Sequence, residues 1–190
     1  MGAVRRRGRV VRVDLTEAEI AMLASLVTQV QQVLAAGLPD QASEDATDPL
    51  QAIVGLGSTD ATTPDNPVLL RLLPDAYRDD DDAAAEYRRL MDGELRMQKT
   101  AALQRVLDDL AGAAAQKNNV RRAELSDEAA AQWLYAVNDV RLSLGTTLDV
   151  TEETYAELGS TDPESPRAAA LAVYDWLTWL QDAMVRAVSG

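Results

Sequence analysis

Apolar residues recur at helical spacing in four long stretches of the chain, near residues 20–34, 87–110, 133–144 and 173–188. A spacing of three or four positions places apolar side chains on one face of a helix. Each such face must be buried against another element, so the stripes are expected to share a core. The pattern therefore predicts a mainly α fold, a helical bundle of about four main helices plus short helices, in a single domain over residues 1–190.

Local signals indicate where the main helices begin and end. Thr16 precedes the first stripe, and Glu19 completes a capping box with it three residues later. Ser165 and Pro166 open the last stripe as an N-cap and a first helical residue. Gly145 follows the third stripe and is predicted to end that helix.

Polar segments between the stripes predict loops at 38–47, 57–65 and 112–119. Proline after aspartate or asparagine is typical of a helix start, and threonine is a good N-cap. On these signals, short helices are predicted over residues 50–54, 68–73 and 151–158.

Two segments have the pattern of short strands. Residues 9–14 and 120–125 each lead from arginine to a carboxylate and then into a capped helix. The repeated pattern predicts that the two segments pair as a minor two-stranded β ribbon. The alternative is that each is only an extended lead-in to its helix. Residues 1–8 are predicted to form a flexible basic arm.

Charge is unevenly distributed along the chain. The net charge is −13, yet five arginines lie within the first twelve residues. Arg5, Arg6, Arg7 and Arg9 are therefore candidates for contacting an anionic partner. We favour docking of this arm on the protein's own acidic body or on an oligomer, with an acidic partner or a nucleic acid as alternatives. The acidic remainder of the chain repels phosphates and disfavours nucleic-acid binding.

The chain contains no histidine and no cysteine. Their absence excludes Ser-His and Cys-His nucleophile pairs, histidine or thiolate zinc sites, and disulfides. No cofactor is predicted. The sequence lacks an uninterrupted apolar stretch of the roughly 20 residues that a transmembrane helix needs. No apolar segment follows the N-terminal arginines as in a secretory signal, so a cytoplasmic protein is expected.

Two short motifs have a structural explanation that we prefer to a functional one. The acidic run Asp79–Asp82 offers oxygen ligands for a divalent metal, but carboxylates at a helix start are also stabilised by the macrodipole. Gly55–Ser58 lacks the remaining residues of a phosphate-binding loop and is explained by a helix end and a turn. A carboxylate-based hydrolase would need paired acidic motifs, and Glu86, Asp92 and Glu94 do not have that spacing.

The third and fourth stripes carry a candidate polar network or interface. If the two helices are neighbours, Arg141 can pair with Asp175, with Asn138 or a tyrosine hydroxyl completing the network. We favour a structural bridge that fixes helix register over a ligand pocket. Trp179 shares a polar face with Asp175 and Arg186, which indicates an interface anchor, for example in a homodimer. The alternatives are burial of this face or stacking of Arg186 over the ring.

Four segments resemble an actinobacterial family, the domain of unknown function 2017 family. They are DPLQAIVGLG (48–57), LLPDAYRDD (72–80), WLYAVNDVRLSLGTTLDV (133–150) and AVYDWLTWLQDAMVRA (172–187). The resemblance spans nearly the whole chain in order. It implies no catalytic residues, because members are uncharacterised. It does imply regulation, since some members are labelled transcription regulators and many are encoded beside the ClpS proteolytic adaptor.

These observations favour a cytoplasmic, non-enzymatic regulatory or protein-interaction module, with a link to ClpS-type proteolysis implied by the resemblance. Its partner is expected to be a protein, not identified by the sequence, with a homodimer as one option. The alternative is a transcription regulator that contacts DNA through the arginine arm, although no recognition helix stands out. A metal-dependent, carboxylate-based hydrolase is the third hypothesis.

Overall fold

A computed structural model of the chain describes residues 2–36, 66–74, 81–151, 153–154 and 164–190, with the backbone alone for 81–92. Several predicted elements and motifs lie outside these residues. They are the loops at 38–47 and 57–65, the helix at 50–54, most of the helix at 151–158, the motif Gly55–Ser58, and the side chains of Asp79–Asp82, Glu86 and Asp92.

Five helices and four strands lie within the described residues. In chain order they are β1 (Ala3–Arg7), β2 (Val10–Thr16), α1 (Glu17–Ala35), α2 (Pro67–Leu72), α3 (Asp81–Ala111), β3 (Ala114–Ala115), β4 (Val120–Leu125), α4 (Asp127–Thr147) and α5 (Pro166–Ser189). The fold is mainly helical, as predicted, but its β element is larger than the predicted ribbon.

The strands form one antiparallel sheet in the order β1-β2-β4-β3. The pairing predicted between the two strand-like segments is confirmed, because β2 and β4 are neighbours, with Val11 opposite Leu125 and Val13 opposite Ala123. The prediction of only two strands is wrong. Short β3 adds to the far side of β4, and β1 adds to the far side of β2.

Strand β1 replaces most of the flexible arm that the sequence predicted at residues 1–8. A two-residue turn, Gly8-Arg9, connects β1 to β2, and Gly8 has a φ of 60°. Glycine adopts this left-handed conformation without the strain that a side chain would add. The five N-terminal arginines are therefore held in a hairpin, in a defined register.

The core lies between one face of the sheet and the helices. Alternate residues of β2 are fully buried, and their neighbours on β4 continue this apolar face. Helix α4 lies centrally and contacts α1, α2, α3 and α5. Its Trp133 is fully buried, and the indole Nε1 donates to Asp109 Oδ2 at 2.9 Å. Trp133, at the centre of the core, is thus both packed and hydrogen-bonded.

The predicted helix starts agree with the structure at three positions. Thr16 and Glu19 form the complete capping box of α1. Asn66 accepts from two backbone N–H groups at the start of α2, and Ser165 caps α5 ahead of Pro166. By length and composition alone α1 could also cross a membrane, but core helices pass that test too, and one face of α1 is buried in the core.

Candidate functional site

The sheet face that points away from the core carries a concentration of arginines. Because Val11 and Val13 of β2 point inward, Arg12 between them points outward. Arg5 of β1 is opposite Arg12, and alternate residues of β1 and β4 share this face. We call this surface the basic sheet face and define it by the outward arginines together with Arg9 in the turn: Arg5, Arg7, Arg9, Arg12 and Arg122.

Only part of this positive charge is neutralised locally. Arg122 donates two hydrogen bonds to Asp14, at 2.6 and 2.8 Å, and Arg12 donates to Glu124 at 2.8 Å. The hydrogen bond from Arg122 lowers the pKa of Asp14 below its usual value, against a small opposing effect of burial.

The three remaining arginines of this face, Arg5, Arg7 and Arg9, are exposed. Within the described part of the chain none of them forms a hydrogen bond or ion pair. Their guanidinium groups are thus available to an anion from outside.

The arrangement also contains a cross-strand repulsion. Arg5 lies directly opposite Arg12, and like charges at such positions are unfavourable by up to about 1 kcal/mol. A chain of net charge −13 has many carboxylates that could stand there instead. Arg12 is paired with Glu124, so the charge that remains unpaired at this cross-strand position is that of Arg5.

Arg6 differs from the other arginines of the hairpin. It points to the inner side, where its Nη2 donates to Asp127 Oδ1 at 2.8 Å and its Nη1 donates to the Ala187 carbonyl oxygen at 3.3 Å. These bonds hold β1 against the start of α4 and the end of α5. We favoured docking of the whole arm on the protein's own body. Among the described side chains of the arm, only Arg6 docks in this way.

A groove of about 400 Å³ runs between β1 and α5. Residues Gly2 to Arg6 line one wall, and Trp179 and Arg186 belong to the other. Trp179 is half-buried, with its ring 6.5 Å from that of Trp176. No contact of Arg186 with the Trp179 ring is found among the described side chains. Trp179 therefore contributes to a concave surface instead of projecting as an isolated anchor.

Glu19 joins three elements beneath this groove. Its carboxylate accepts from the Thr16 N–H and hydroxyl, from the Gly2 N–H at 3.1 Å and from the Trp176 indole at 3.2 Å. Partial burial acts to raise the pKa of Glu19, but these hydrogen bonds outweigh it and lower the pKa below its usual value. One charged side chain thus fixes β1, α1 and α5 relative to one another.

The predicted network on α4 and α5 exists and contains Asn138 and a tyrosine hydroxyl, as predicted, but Arg141 does not pair with Asp175. Arg141 donates to Gln181 Oε1 at 2.7 Å and to the Tyr174 hydroxyl at 3.1 Å, and Gln181 donates to Asn138 at 3.2 Å. The predicted pairing of Arg141 with Asp175 is wrong. Tyr174 and Gln181 are two helical turns apart on the face of α5 toward α4. Asp175, one residue after Tyr174, points about 100° away from that face.

Gly145 was predicted to end a helix, but it lies inside α4. A Cβ atom at this position would stand 2.9 Å from Cε2 of Tyr174. Glycine is therefore required by close packing of α5 and not by a helix end. Beside this contact lies a second open cavity of about 530 Å³, lined partly by Arg141, Tyr174 and Arg71.

We expect Gly145→Ala to lower the free energy of unfolding by about 1–2 kcal/mol, because the added methyl group overlaps the Tyr174 ring. The matched control is Gly93→Ala on α3, where no described atom outside the helix's own backbone lies within 4 Å of the added Cβ. That change should stabilise by about 0.5–1 kcal/mol through helix propensity alone. Urea denaturation measures both, and equal stabilisation by the two alanines would contradict the close contact.

A buried ion pair connects α3 and α4. Lys99 Nζ lies 2.7 Å from Asp139 Oδ1, with side-chain exposures of 19% and 5%. Burial raises the pKa of Asp139, and the hydrogen bond from Lys99 only partly offsets this. Asp139 Oδ2 is buried and has no hydrogen-bond partner among the described residues. The sequence reasoning missed this pair, because neither residue stands in a recognisable motif.

Among the described side chains, no three carboxylates, histidines or cysteines come together as metal ligands would. For the third hypothesis, a carboxylate-based hydrolase, the sequence offered Glu86, Asp92 and Glu94, whose spacing does not match the paired acidic motifs. Of these, only the side chain of Glu94 is described, and it is exposed.

The chain is similar to known proteins over most of its length. A family model described as a domain of unknown function, DUF2017, matches residues 1–188. The chain belongs to the domain of unknown function 2017 family. It is similar to the Oxidative stress regulator AosR of Mycobacterium tuberculosis (strain ATCC 25618 / H37Rv), 35% identical over 185 residues, 88% of this chain and 78% of that protein.

A second member of the family gives the same result. A Mycobacterium leprae (strain TN) protein is 33% identical over 183 residues, which cover 90% of this chain and 78% of that protein. No solved structure matches the chain. These relatives are actinobacterial proteins, and the sequence resemblance identified the family correctly.

Proposed function

We propose that this chain is a cytoplasmic, non-enzymatic regulator that acts by binding an acidic protein partner through its basic sheet face. The observation that carries the proposal is the set of exposed, unpaired arginines at positions 5, 7 and 9 on a sheet face of a strongly acidic protein. The name of the mycobacterial relatives, oxidative stress regulator, supports a regulatory role.

An acidic protein fits the charge distribution better than DNA does. A local positive surface steers an acidic partner into place, while the net charge of −13 repels a long polyanion that extends beyond the hairpin. DNA contact through the same hairpin remains the second candidate, because a two-stranded ribbon can enter the major groove. A link to ClpS-type proteolysis belongs to the same proposal as one identity of the partner.

The composition limits how oxidative stress would reach this chain. These 190 residues contain no cysteine, so neither a sulfenic acid nor a disulfide can form within them. If the regulatory role of the relatives extends to this protein, a thiol-based signal must arrive through the partner. This requirement also favours a binding module over a self-contained sensor.

The double variant Arg5→Glu/Arg7→Glu is expected to reduce partner retention at least tenfold, because the charge of the basic sheet face is reversed where no ion pair holds it. Affinity capture from native actinobacterial lysate, quantified by mass spectrometry, measures the effect. The control is Arg71→Glu/Arg167→Glu, which makes the same change in net charge at exposed arginines elsewhere.

The proposal predicts proteins retained by the parent and by the control but lost from the variant at positions 5 and 7. Equal retention by both double variants would contradict a role of the basic sheet face. Nucleic acid retained by the parent in a salt-dependent manner, and lost from the same variant, would replace the protein partner by DNA.

A further inference from the structure

We infer that the partner is bound as an added, acidic β strand at the free edge of β1, in the groove against α5. The inference deepens the proposed function and rests on it for the existence of an acidic partner. Addition of a strand to a sheet edge obtains affinity from main-chain hydrogen bonds and specificity from alternate side chains.

The first observation is the free edge itself. Strand β1 ends the sheet, so alternate residues direct their N–H and C=O groups away from β2. Within the described residues, no backbone–backbone hydrogen bond joins Ala3–Arg7 to an element other than β2, and the preceding Gly2 N–H donates to the Glu19 carboxylate. The strand contains no proline and no bulge that would block a further strand.

The second observation is the shape of the groove. Five consecutive residues, Gly2 to Arg6, line one wall. Consecutive side chains of a strand point to opposite faces, so a surface that all five share is the strand's edge and not one of its faces. The other wall is formed by Trp179, Ala183, Arg186 and Ala187, whose spacing places them on one side of α5.

The third observation is the chemistry of the two walls. Arg5 and Arg186 are exposed on opposite sides, and neither forms an ion pair among the described residues. Half-buried Trp179 supplies apolar surface between them, and small Ala183, which is only 7% exposed, also lines the groove. An extended segment that alternates acidic and apolar residues would place carboxylates beside the arginines and apolar side chains over the helix.

A second copy of this chain is a poorer occupant of the same edge. Three of the five residues of β1 are arginines. Antiparallel pairing of β1 with itself would bring arginines opposite or beside arginines, which is destabilising. Charged edges of this kind are a common defence against self-association. The same arginines attract an acidic strand, so charge selects the occupant.

The test uses the whole chain and two synthetic twelve-residue peptides of alternating aspartate and valine, one of which carries prolines that prevent strand pairing. Titration followed by amide NMR should show binding of the first peptide alone. Shifts should concentrate at Gly2–Arg7 and at the groove side of α5. Ala183→Trp, which fills the groove, should weaken binding at least tenfold, whereas Val185→Trp on the exposed side of α5 should not.

A second pair of variants keeps the inference falsifiable if Ala183→Trp does not fold. Arg186→Glu should weaken binding of the aspartate peptide at least tenfold and favour binding of a lysine-valine peptide. Arg167→Glu, on the same helix outside the groove, should have neither effect. Equal binding of the proline peptide, insensitivity to Arg186→Glu, no binding at millimolar peptide, or a dimer that pairs β1 with β1 would each overturn strand addition.

The two proposals fail in different ways. Binding that depends on Arg5 and Arg7 but not on Arg186 or Ala183 would leave the basic sheet face as the binding surface and remove only the added strand. Retention of the natural partner that is unaffected by Arg5→Glu/Arg7→Glu would remove the proposed function itself.

Discussion

Lys99→Met is expected to lower the free energy of unfolding by about 3–5 kcal/mol at neutral pH, the usual effect of breaking a buried ion pair. The variant leaves the Asp139 carboxylate 5% exposed without its cation, while its Oδ2 atom already has no hydrogen-bond partner in the part of the chain that the structure describes. A buried charge without a partner is far less stable than the same group in water. Urea denaturation of the parent and the variant measures the difference.

The defect of Lys99→Met should shrink in acid. Burial already raises the pKa of Asp139 above its ordinary value of 3.8, and loss of Lys99 raises it further. A folded-state pKa above the unfolded value means that stability is lost as pH rises through that interval and is regained as pH falls. Denaturation at neutral pH and at pH values approaching 3.8 should therefore show a smaller difference between parent and variant in acid.

Two controls separate the buried pair from ordinary surface charge. Arg12→Met removes one partner of an exposed pair, with side-chain exposures of 37% and 50%, and should change stability by less than about 1 kcal/mol. Lys99→Met/Asp139→Leu removes both charges and should recover much of the loss. A single variant as stable as the parent at neutral pH would show that the pair is not desolvated as described.

Glu19→Ala is expected to lower the free energy of unfolding by about 2–3 kcal/mol, because four donors from three elements lose their shared acceptor. Glu19 is only half-buried, so water replaces part of the lost hydrogen bonding and keeps the loss well below a sum over four bonds. The control is Glu17→Ala, an exposed carboxylate in the same helical turn, for which we expect less than about 1 kcal/mol.

The pH dependence of Glu19→Ala should be opposite to that of Lys99→Met. The hydrogen bonds lower the pKa of Glu19 below its ordinary value of 4.5. Its contribution is therefore fully present above pH 4.5 and is lost as pH falls through the lowered folded-state value. The free energies of unfolding of the parent and of Glu19→Ala, measured by urea denaturation, should therefore converge in acid. A difference that is constant down to pH 2 would contradict the role of the ionised carboxylate.

Local sequence signals predicted local structure well. The capping box of Thr16 and Glu19 is present because its partners are three residues apart and need no tertiary context. Ser165-Pro166 begins α5 for the same reason. What the capping motif does not contain is the additional contact of Glu19 with Trp176, which depends on how distant helices pack.

Long-range pairing was predicted only where the chain repeats a pattern. The similar lead-ins at 9–14 and 120–125 correctly indicated the pairing of β2 with β4. β1 was missed because its Ala-Val-Arg-Arg-Arg sequence has one large apolar residue and no alternation. Gly8 was the available sequence signal for a turn between two strands. The arginines around it led instead to the prediction of a flexible basic arm.

The candidate site was predicted by residue type more than by geometry. Arginines at the N-terminus were correctly singled out, but the sequence did not separate inward Arg6 from outward Arg5 and Arg7, which requires the register of β1 on β2. Arg141 was correctly placed in a polar network, and its partner was wrong because the rotation of α5 about its axis decides whether position 174 or 175 faces α4.

Hydrogen exchange of the chain, alone and bound to the protein retained in the lysate capture, tests most directly whether the basic sheet face is the binding surface. We expect amides of β1 and β2 to exchange more slowly in the complex, with no change around Arg141 and Gly145. Unchanged exchange in the β1–β2 hairpin, with protection confined to the α4–α5 cavity, would contradict a partner bound at the arginines.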